Sequence, residues 1–284
     1  MSQGAPLAGG EPLIDVHAHF FQPGGGRGDW RQLNTRRLEG GERIGISFHV
    51  ASVLGSWGAR SPTYFQSPDD TTAGNDFARE VQEANPSRVR WYVAVNPNDA
   101  DFARAEVERG VALGAVGLKL AAARRCDDIA VEPVVAAAER HALPVLHHIW
   151  QHRRRHWPGQ DISDGADLAV LARRFPRVPF ILAHIGGGGD YAHTFAAVQD
   201  VPNIHLDLSG SGTDRGMLDG ALAAVGARRL LWGADLTLCT GLAKLWALEA
   251  LPISADDKAD IRWRNAVRIF PPGTFAGLPE VRRA

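Results

Sequence analysis

The chain has 284 residues, 45% hydrophobic and 22% charged, which supplies a sizeable core and argues against disorder. Its 31 basic and 32 acidic residues leave a net charge of −1, so a polyanion partner such as nucleic acid is disfavoured. Only two cysteines occur, Cys126 and Cys239, with no C-x-x-C pair, which fits a reducing cytoplasm.

The opening MSQGAPLAGGEP has no basic start and no apolar run, so it does not read as a signal peptide. Residues 1–12 are expected to form a flexible tail and 13–284 one domain. No apolar run approaches the length of a membrane span, so a cytoplasmic protein acting on a small molecule, away from membranes, is expected.

Short apolar runs then recur along the chain. Strands are predicted near 13–19 (LIDVHAH), 46–53 (ISFHVASV), 89–95 (VRWYVAV) and 115–120 (AVGLKL). Four more are predicted near 143–149 (LPVLHHI), 178–184 (VPFILAH), 203–209 (NIHLDLS) and 229–235 (RLLWGAD). Helical periodicity falls between and after them, near 74–85, 99–112, 130–141, 164–174, 216–225, 241–250 and 254–266. Near-continuous apolar strands alternating with helices mark parallel βαβ units buried on both faces. Eight such units in this length predict an α/β fold, a single-domain (β/α)8 TIM barrel. An open nucleotide-binding sheet should carry a Gly-x-Gly-x-x-Gly turn after its first strand, and the glycines of 24–28 do not follow that pattern.

Catalytic groups of such barrels gather at the C-terminal strand ends. There the sequence places His17 and His19, His147 and His148, His184, and Asp235, so five of 11 histidines fall on strand tips. A side-chain period of two points His17 and His19 to one side, with Asp15 expected below them on that side. Two neutral imidazoles facing one interior suit a divalent metal, with His184 and Asp235 completing a mixed nitrogen and oxygen shell. A lone histidine at a strand end is ordinarily a hydrogen-bonded rim residue; the metal reading rests on the set. Asp207 reads as a polar partner inside the barrel, and His49 as a strand residue with a local hydrogen bond.

The motifs DVHAHF, LPVLHHIW, FILAHIGG and LLWGADL resemble those of the amidohydrolase superfamily, in the branch that holds metal-dependent hydrolases and decarboxylases similar to aminocarboxymuconate-semialdehyde decarboxylase. The resemblance runs from about residue 13 to about residue 270 and is specific to the superfamily, not to a substrate. It implies metal ligation by His17, His19 and Asp235, with Asp235 also able to accept a proton. It implies that His184 is either a ligand or a general acid/base beside the metal. It aligns the strand 5 ligand with His148 and leaves His147 facing the helices. Lys119, in GAVGLKL, matches a position that carries a bridging carboxylated lysine in binuclear relatives; a contact to an anionic substrate or a buried carboxylate is the other reading.

Loops beyond the strands set the substrate. WQHRRRHWPGQD offers Trp150 and Arg153 as contacts for an aromatic or carboxylated substrate, although a basic run is ordinarily a solvated turn. DLSGSGTDRG brings Ser209 and Arg215 near the mouth. The leading expectation is a metal-dependent hydrolase of a small carboxylated or cyclic ester, lactone or amide. Zinc is the expected ion, with manganese or iron as alternatives. A metal-dependent, non-oxidative decarboxylase of an unsaturated or aromatic acid is the second reading, and a non-catalytic binding barrel the third. Eight tryptophans and the long loops allow a homodimer.

Overall fold

A computed structural model describes residues 11–23, 27–54, 68–149, 161–185, 190–210, 212, 215–235 and 241–281. Eight strands follow one another around a sheet in chain order. They are β1 (Ile14–Phe21), β2 (Phe48–Leu54), β3 (Val89–Ala94), β4 (Gly117–Leu120), β5 (Val145–His148), β6 (Phe180–Ala183), β7 (Ile204–Asp207) and β8 (Leu230–Leu231). Every neighbouring pair is parallel. The ring closes where β1 meets the chain beyond β8. Val16 N–H donates to the Trp232 carbonyl at 3.1 Å and Asp235 N–H to the His17 carbonyl at 2.7 Å. The protein is a single-domain (β/α)8 barrel.

The crossover helices are α1 (Trp30–Arg43), α2 (Pro68–Ala84), α3 (Ala100–Ala112), α4 (Glu132–Arg140), α5 (Gly165–Arg174), α6 (Tyr191–Val198) and α7 (Arg215–Val225). After β8 come α8 (Gly241–Glu249), α9 (Ala255–Ala259), a π-helical turn over Asp260–Arg264 and α10 (Asn265–Ile269). Periodicity did not single out α1 or α6, for physical reasons. The buried residues of α1 are Arg37 and Gly41 in place of an apolar stripe, and α6 has only eight residues. Among the described residues, no helix is long and apolar enough to cross a membrane.

Alternation along the strands divides the core into two layers. Leu118, Leu120, Val145, Phe180, Leu182 and Leu206 pack outward with helix residues such as Val107, Val134 and Leu171. Ile14, Val16, Phe48, Val50, Tyr92, Leu146, Ile181 and Leu231 face inward and pack with Trp263, Phe270 and Phe275. These last three come from the C-terminal segment, so the chain's own end forms the floor of the barrel. The floor leaves the opposite, C-terminal mouth for polar side chains.

Two expectations shift at the seam. The eighth strand is shorter than the predicted 229–235, because Trp232 N–H donates to the Ile261 carbonyl while Asp235 rejoins β1 through a bridge to Ala18. The last two residues of the tail expected over 1–12 are held to the barrel: Arg262 donates to the carbonyls of Glu11 and Pro12, and Trp263 Nε1–H to the Glu11 carboxylate. Residues 1–10 lie outside the described residues.

Candidate active site

Inward positions at the upper ends of most of the strands converge on one polar centre. Val16 belongs to the floor, yet His17 and His19 also face inward, because the β1–β2 register shifts between Asp15 and Ala18. That irregularity resets the alternation. His17 Nε2 and His19 Nε2 stand 3.0 Å apart. Asp235 Oδ1 is 3.8 Å from the first and 3.4 Å from the second. These three donor atoms lie within 4.8 Å of one another.

The other ring nitrogens are committed elsewhere. His17 Nδ1 lies 2.6 Å from Asp207 Oδ2 and 2.9 Å from Ser209 Oγ. Ser209 donates to that carboxylate through both its hydroxyl (2.6 Å) and its backbone N–H (2.8 Å). His17 Nδ1–H is therefore the donor to this acceptor pair. His19 Nδ1 lies 3.0 Å from Ser52 Oγ and 3.3 Å from the Ser52 carbonyl, so it too carries the proton. Both Nε2 atoms then turn lone pairs toward each other and toward a carboxylate oxygen. Such an arrangement suits a cation, and an outer hydrogen bond that fixes each imidazole's tautomer is the usual support of a metal-binding histidine.

Electrostatics agree with neutral imidazoles. Burial, followed by the Lys119 charge, holds His17 well below the usual histidine range; burial lowers His19 despite Asp235. Burial alone would raise the Asp235 carboxyl, but the facing His17, His19 and His184 outweigh it and hold it well below the usual carboxylate range. Burial pushes Asp207 up to about 7. The Asp235 side chain is 19% exposed, the open side of the cluster. Its backbone has φ 59°, a left-handed conformation that aspartate tolerates better than most residues.

The remaining predicted residues fall around this centre. His184 Nε2 lies 3.4 Å from Asp235 Oδ2, and its ring is 5.7 Å from that of His17. His148 faces inward, with its ring 5.0 Å from that of His184. His147 points the other way, and its Nδ1–H donates to the His148 carbonyl at 2.9 Å. Lys119 Nζ reaches His17 Nε2 at 3.2 Å, and burial lowers its pKa to about 8. Arg215 opens α7, but its side chain, like Trp150 and Arg153 and the loop across 55–67, lies outside the described residues.

Asp15 corrects the expectation that it shares a side with His17 and His19. It faces outward, with Oδ2 2.6 Å from Arg37 Nη2 on α1 and 3.2 Å from His49 Nδ1. The register shift between Asp15 and Ala18 is the reason: strict alternation fails across it. Sequence reasoning also passed over Arg37 and Ser52. Ser52 alternates with Phe48 and Val50 and could have been found that way; Arg37 sits on a helix without an apolar stripe and gave no signal.

Fold and centre together define a barrel enzyme architecture with a buried histidine–aspartate donor cluster at the C-terminal mouth. The chain belongs to the amidohydrolase family, whose sequence model matches residues 14–271. It is 26% identical over 305 aligned positions to a gamma-resorcylate decarboxylase of Polaromonas sp., covering 85% of this chain and 90% of that one. Among solved structures it resembles a 2,6-dihydroxybenzoate decarboxylase complexed with 2,6-dihydroxybenzoate (TM-score 0.70, 20% identity, 91% of this chain and 98% of that one). It also resembles a dihydroxybenzoic acid decarboxylase of Polaromonas sp. with bound manganese and 2-nitroresorcinol (TM-score 0.70, 20% identity, 91% and 96%). A 5-carboxyvanillate decarboxylase of Sphingomonas paucimobilis matches with TM-score 0.68, 17% identity, 92% and 99% coverage.

These relatives overturn the leading expectation of a hydrolase. Each is a decarboxylase, in keeping with the second reading. The donor cluster is common to both reactions, so the motifs alone pointed equally to either. Zinc likewise finds no support, since the ion bound in the Polaromonas structure is manganese.

Proposed function

We propose that the chain is a divalent-metal-dependent, non-oxidative decarboxylase of a hydroxylated aromatic acid. The observation that carries the reading is the convergence of His17 Nε2, His19 Nε2 and Asp235 Oδ1 in a chain that aligns along most of its length with a gamma-resorcylate decarboxylase. In this reading His17, His19 and Asp235 hold the metal, with His148 and His184 completing its surroundings. When bound, the ion supplies positive charge for the carboxylate and phenolate oxygens of the substrate. Manganese is the first ion to test.

The reaction exchanges a C–C bond for a C–H bond. The bond to the carboxylate breaks, its electron pair stays on the ring carbon, a proton arrives there, and carbon dioxide leaves. A hydroxyl beside the carboxylate raises electron density on that carbon and makes the protonation easier. His184, whose Nε2 lies 3.4 Å from the ionised Asp235 carboxylate on the open side of the centre, is assigned the delivery of the proton, with Asp235 orienting it. Lys119 sets a cation inside the barrel, a counter-charge for the acid. From their place in the sequence after β5 and β7, Trp150, Arg153 and Arg215 are assigned to the aromatic ring and carboxylate, although their side chains lie outside the described residues.

The test is incubation of manganese-loaded protein with 2,6-dihydroxybenzoate, following carbon dioxide and 1,3-dihydroxybenzene. Equal release of both supports the reading. Turnover of esters or lactones, with no carbon dioxide from any hydroxybenzoate, refutes it.

A further inference from the structure

The three central donors hang on one seam of the barrel. His17 and His19 lie on β1, and Asp235 follows β8. This seam is built differently from the rest. β8 contributes two residues, and β1 carries a register shift beside His17. The residues that span the seam lie outside the barrel wall. Asp15 Oδ1 accepts the backbone N–H of Ala234 at 2.9 Å and of His17 at 3.2 Å, so one carboxylate oxygen joins both sides. Its other oxygen accepts Arg37 Nη2 at 2.6 Å. Arg37 Nη1 donates to the Asp235 carbonyl, also at 2.6 Å. The Asp235 N–H already donates to the His17 carbonyl. The left-handed Asp235 peptide is thus gripped at both ends.

We infer that Asp15 and Arg37 are positioning residues that clamp the β1–β8 seam and so set the spacing of His17, His19 and Asp235. Neither side chain reaches the centre; both are buried behind it, Asp15 at 0% and Arg37 at 2% exposure. The guanidinium fork suits the task, because its two terminal nitrogens serve two acceptors at once and a lysine ammonium lacks that planar geometry. His49 Nδ1, 3.2 Å from Asp15 Oδ2, steadies the same carboxylate from β2. A burial-only role for the pair would require charge balance, whereas positioning requires the bidentate bridge.

The inference rests on the divalent-metal reading above, and the test separates the two. Manganese affinity is measured by competition with a chelating dye, and cobalt(II) is loaded to read its visible spectrum. Wild-type chain, Arg37→Lys and the pair Asp15→Asn/Arg37→Met are compared. Arg37→Lys keeps the charge opposite Asp15 and hence the fold; the double substitution removes both charges together. Both variants are expected to keep the wild-type far-ultraviolet circular dichroism. Both are expected to bind manganese about ten- to a hundred-fold more weakly, the usual cost of losing an outer support of a metal site, with a changed cobalt spectrum. A folded variant with wild-type manganese affinity and cobalt spectrum overturns the inference and leaves the metal reading standing. A wild-type chain that binds neither ion overturns both.

Discussion

Replacing Gly233 by alanine isolates the support behind His17. A Cβ built there would stand 2.2 Å from Asp207 Oδ1, 3.0 Å from Asp207 Cγ and 3.1 Å from His17 Cβ. The first contact must open by at least 0.8 Å to reach 3.0 Å, against an Asp207 carboxylate that is hydrogen-bonded at both oxygens. Its Oδ1 accepts Ser209 N–H, and its Oδ2 holds the Ser209 hydroxyl and His17 Nδ1. Moving the carboxylate stretches the 2.6 Å contact that fixes the His17 ring. Overpacking of a filled interior costs about 1–3 kcal/mol, and a disturbed charge-assisted hydrogen bond adds a comparable amount. Allowing for overlap, Gly233→Ala is expected to destabilise the metal-free protein by about 2–4 kcal/mol in urea unfolding. It is also expected to weaken manganese binding in calorimetric titration by about ten- to a hundred-fold. Gly226→Ala is the control. Gly226 has φ 70° and ψ 166°, a conformation essentially reserved for glycine, with nothing within 4 Å of a Cβ, so it should cost about 1–3 kcal/mol of backbone strain and leave metal affinity alone. Wild-type stability and metal affinity in Gly233→Ala would refute the reasoning, because the site could then accept a methyl group where the structure allows none.

The outer network has its own probes. Gly41→Ala would place a Cβ 2.5 Å from His49 Nε2, forcing the imidazole off Asp15, so a loss of about 1–3 kcal/mol is expected in chemical unfolding. His147 is 1% exposed, and burial lowers its pKa to about 4. Unfolded, it titrates near 6.5, so the unfolded chain binds the extra proton between those values and stability falls as pH drops from about 6.5 to about 4. His147→Gln should flatten that fall by roughly 3 kcal/mol in metal-free protein; an unchanged pH slope contradicts its buried, neutral state. Burial, assisted by Asp167 and Asp127, raises the Cys126 thiol well above its ordinary range. In a Cys239→Ser background, Cys126 should stay unreactive toward Ellman's reagent at pH 8 until the protein is denatured; rapid reaction of the native protein contradicts this burial.

The fold was legible because alternating apolar strands and amphipathic helices are statements about burial on two faces, which sequence period reports directly. Leu118, Leu120, Phe180 and Leu182 pack outward as that period requires. Strand tips carried the centre for the same reason: His148 and His147 separate to opposite faces by simple alternation. Asp15 was misplaced because a local register shift leaves no mark in residue types. Arg37 was missed because its partners, Asp15 and the Asp235 carbonyl, are 22 and 198 positions away in sequence. The reaction itself was misassigned for a chemical reason. Hydrolysis and decarboxylation can share one set of ligands, and the loop sequences that follow those ligands carry no motif that names a substrate.

The central claim is that this donor cluster breaks a carbon–carboxylate bond and protonates the ring. Decarboxylation of 2,6-dihydroxybenzoate by the manganese-loaded protein in deuterium oxide measures this directly, with the product read by mass spectrometry and the gas by infrared absorption. The account predicts carbon dioxide and one carbon-bound deuterium at the former carboxylate position, and loss of both in His19→Ala. Carbon dioxide release undiminished in His19→Ala, or substrate turnover without carbon dioxide, would contradict it.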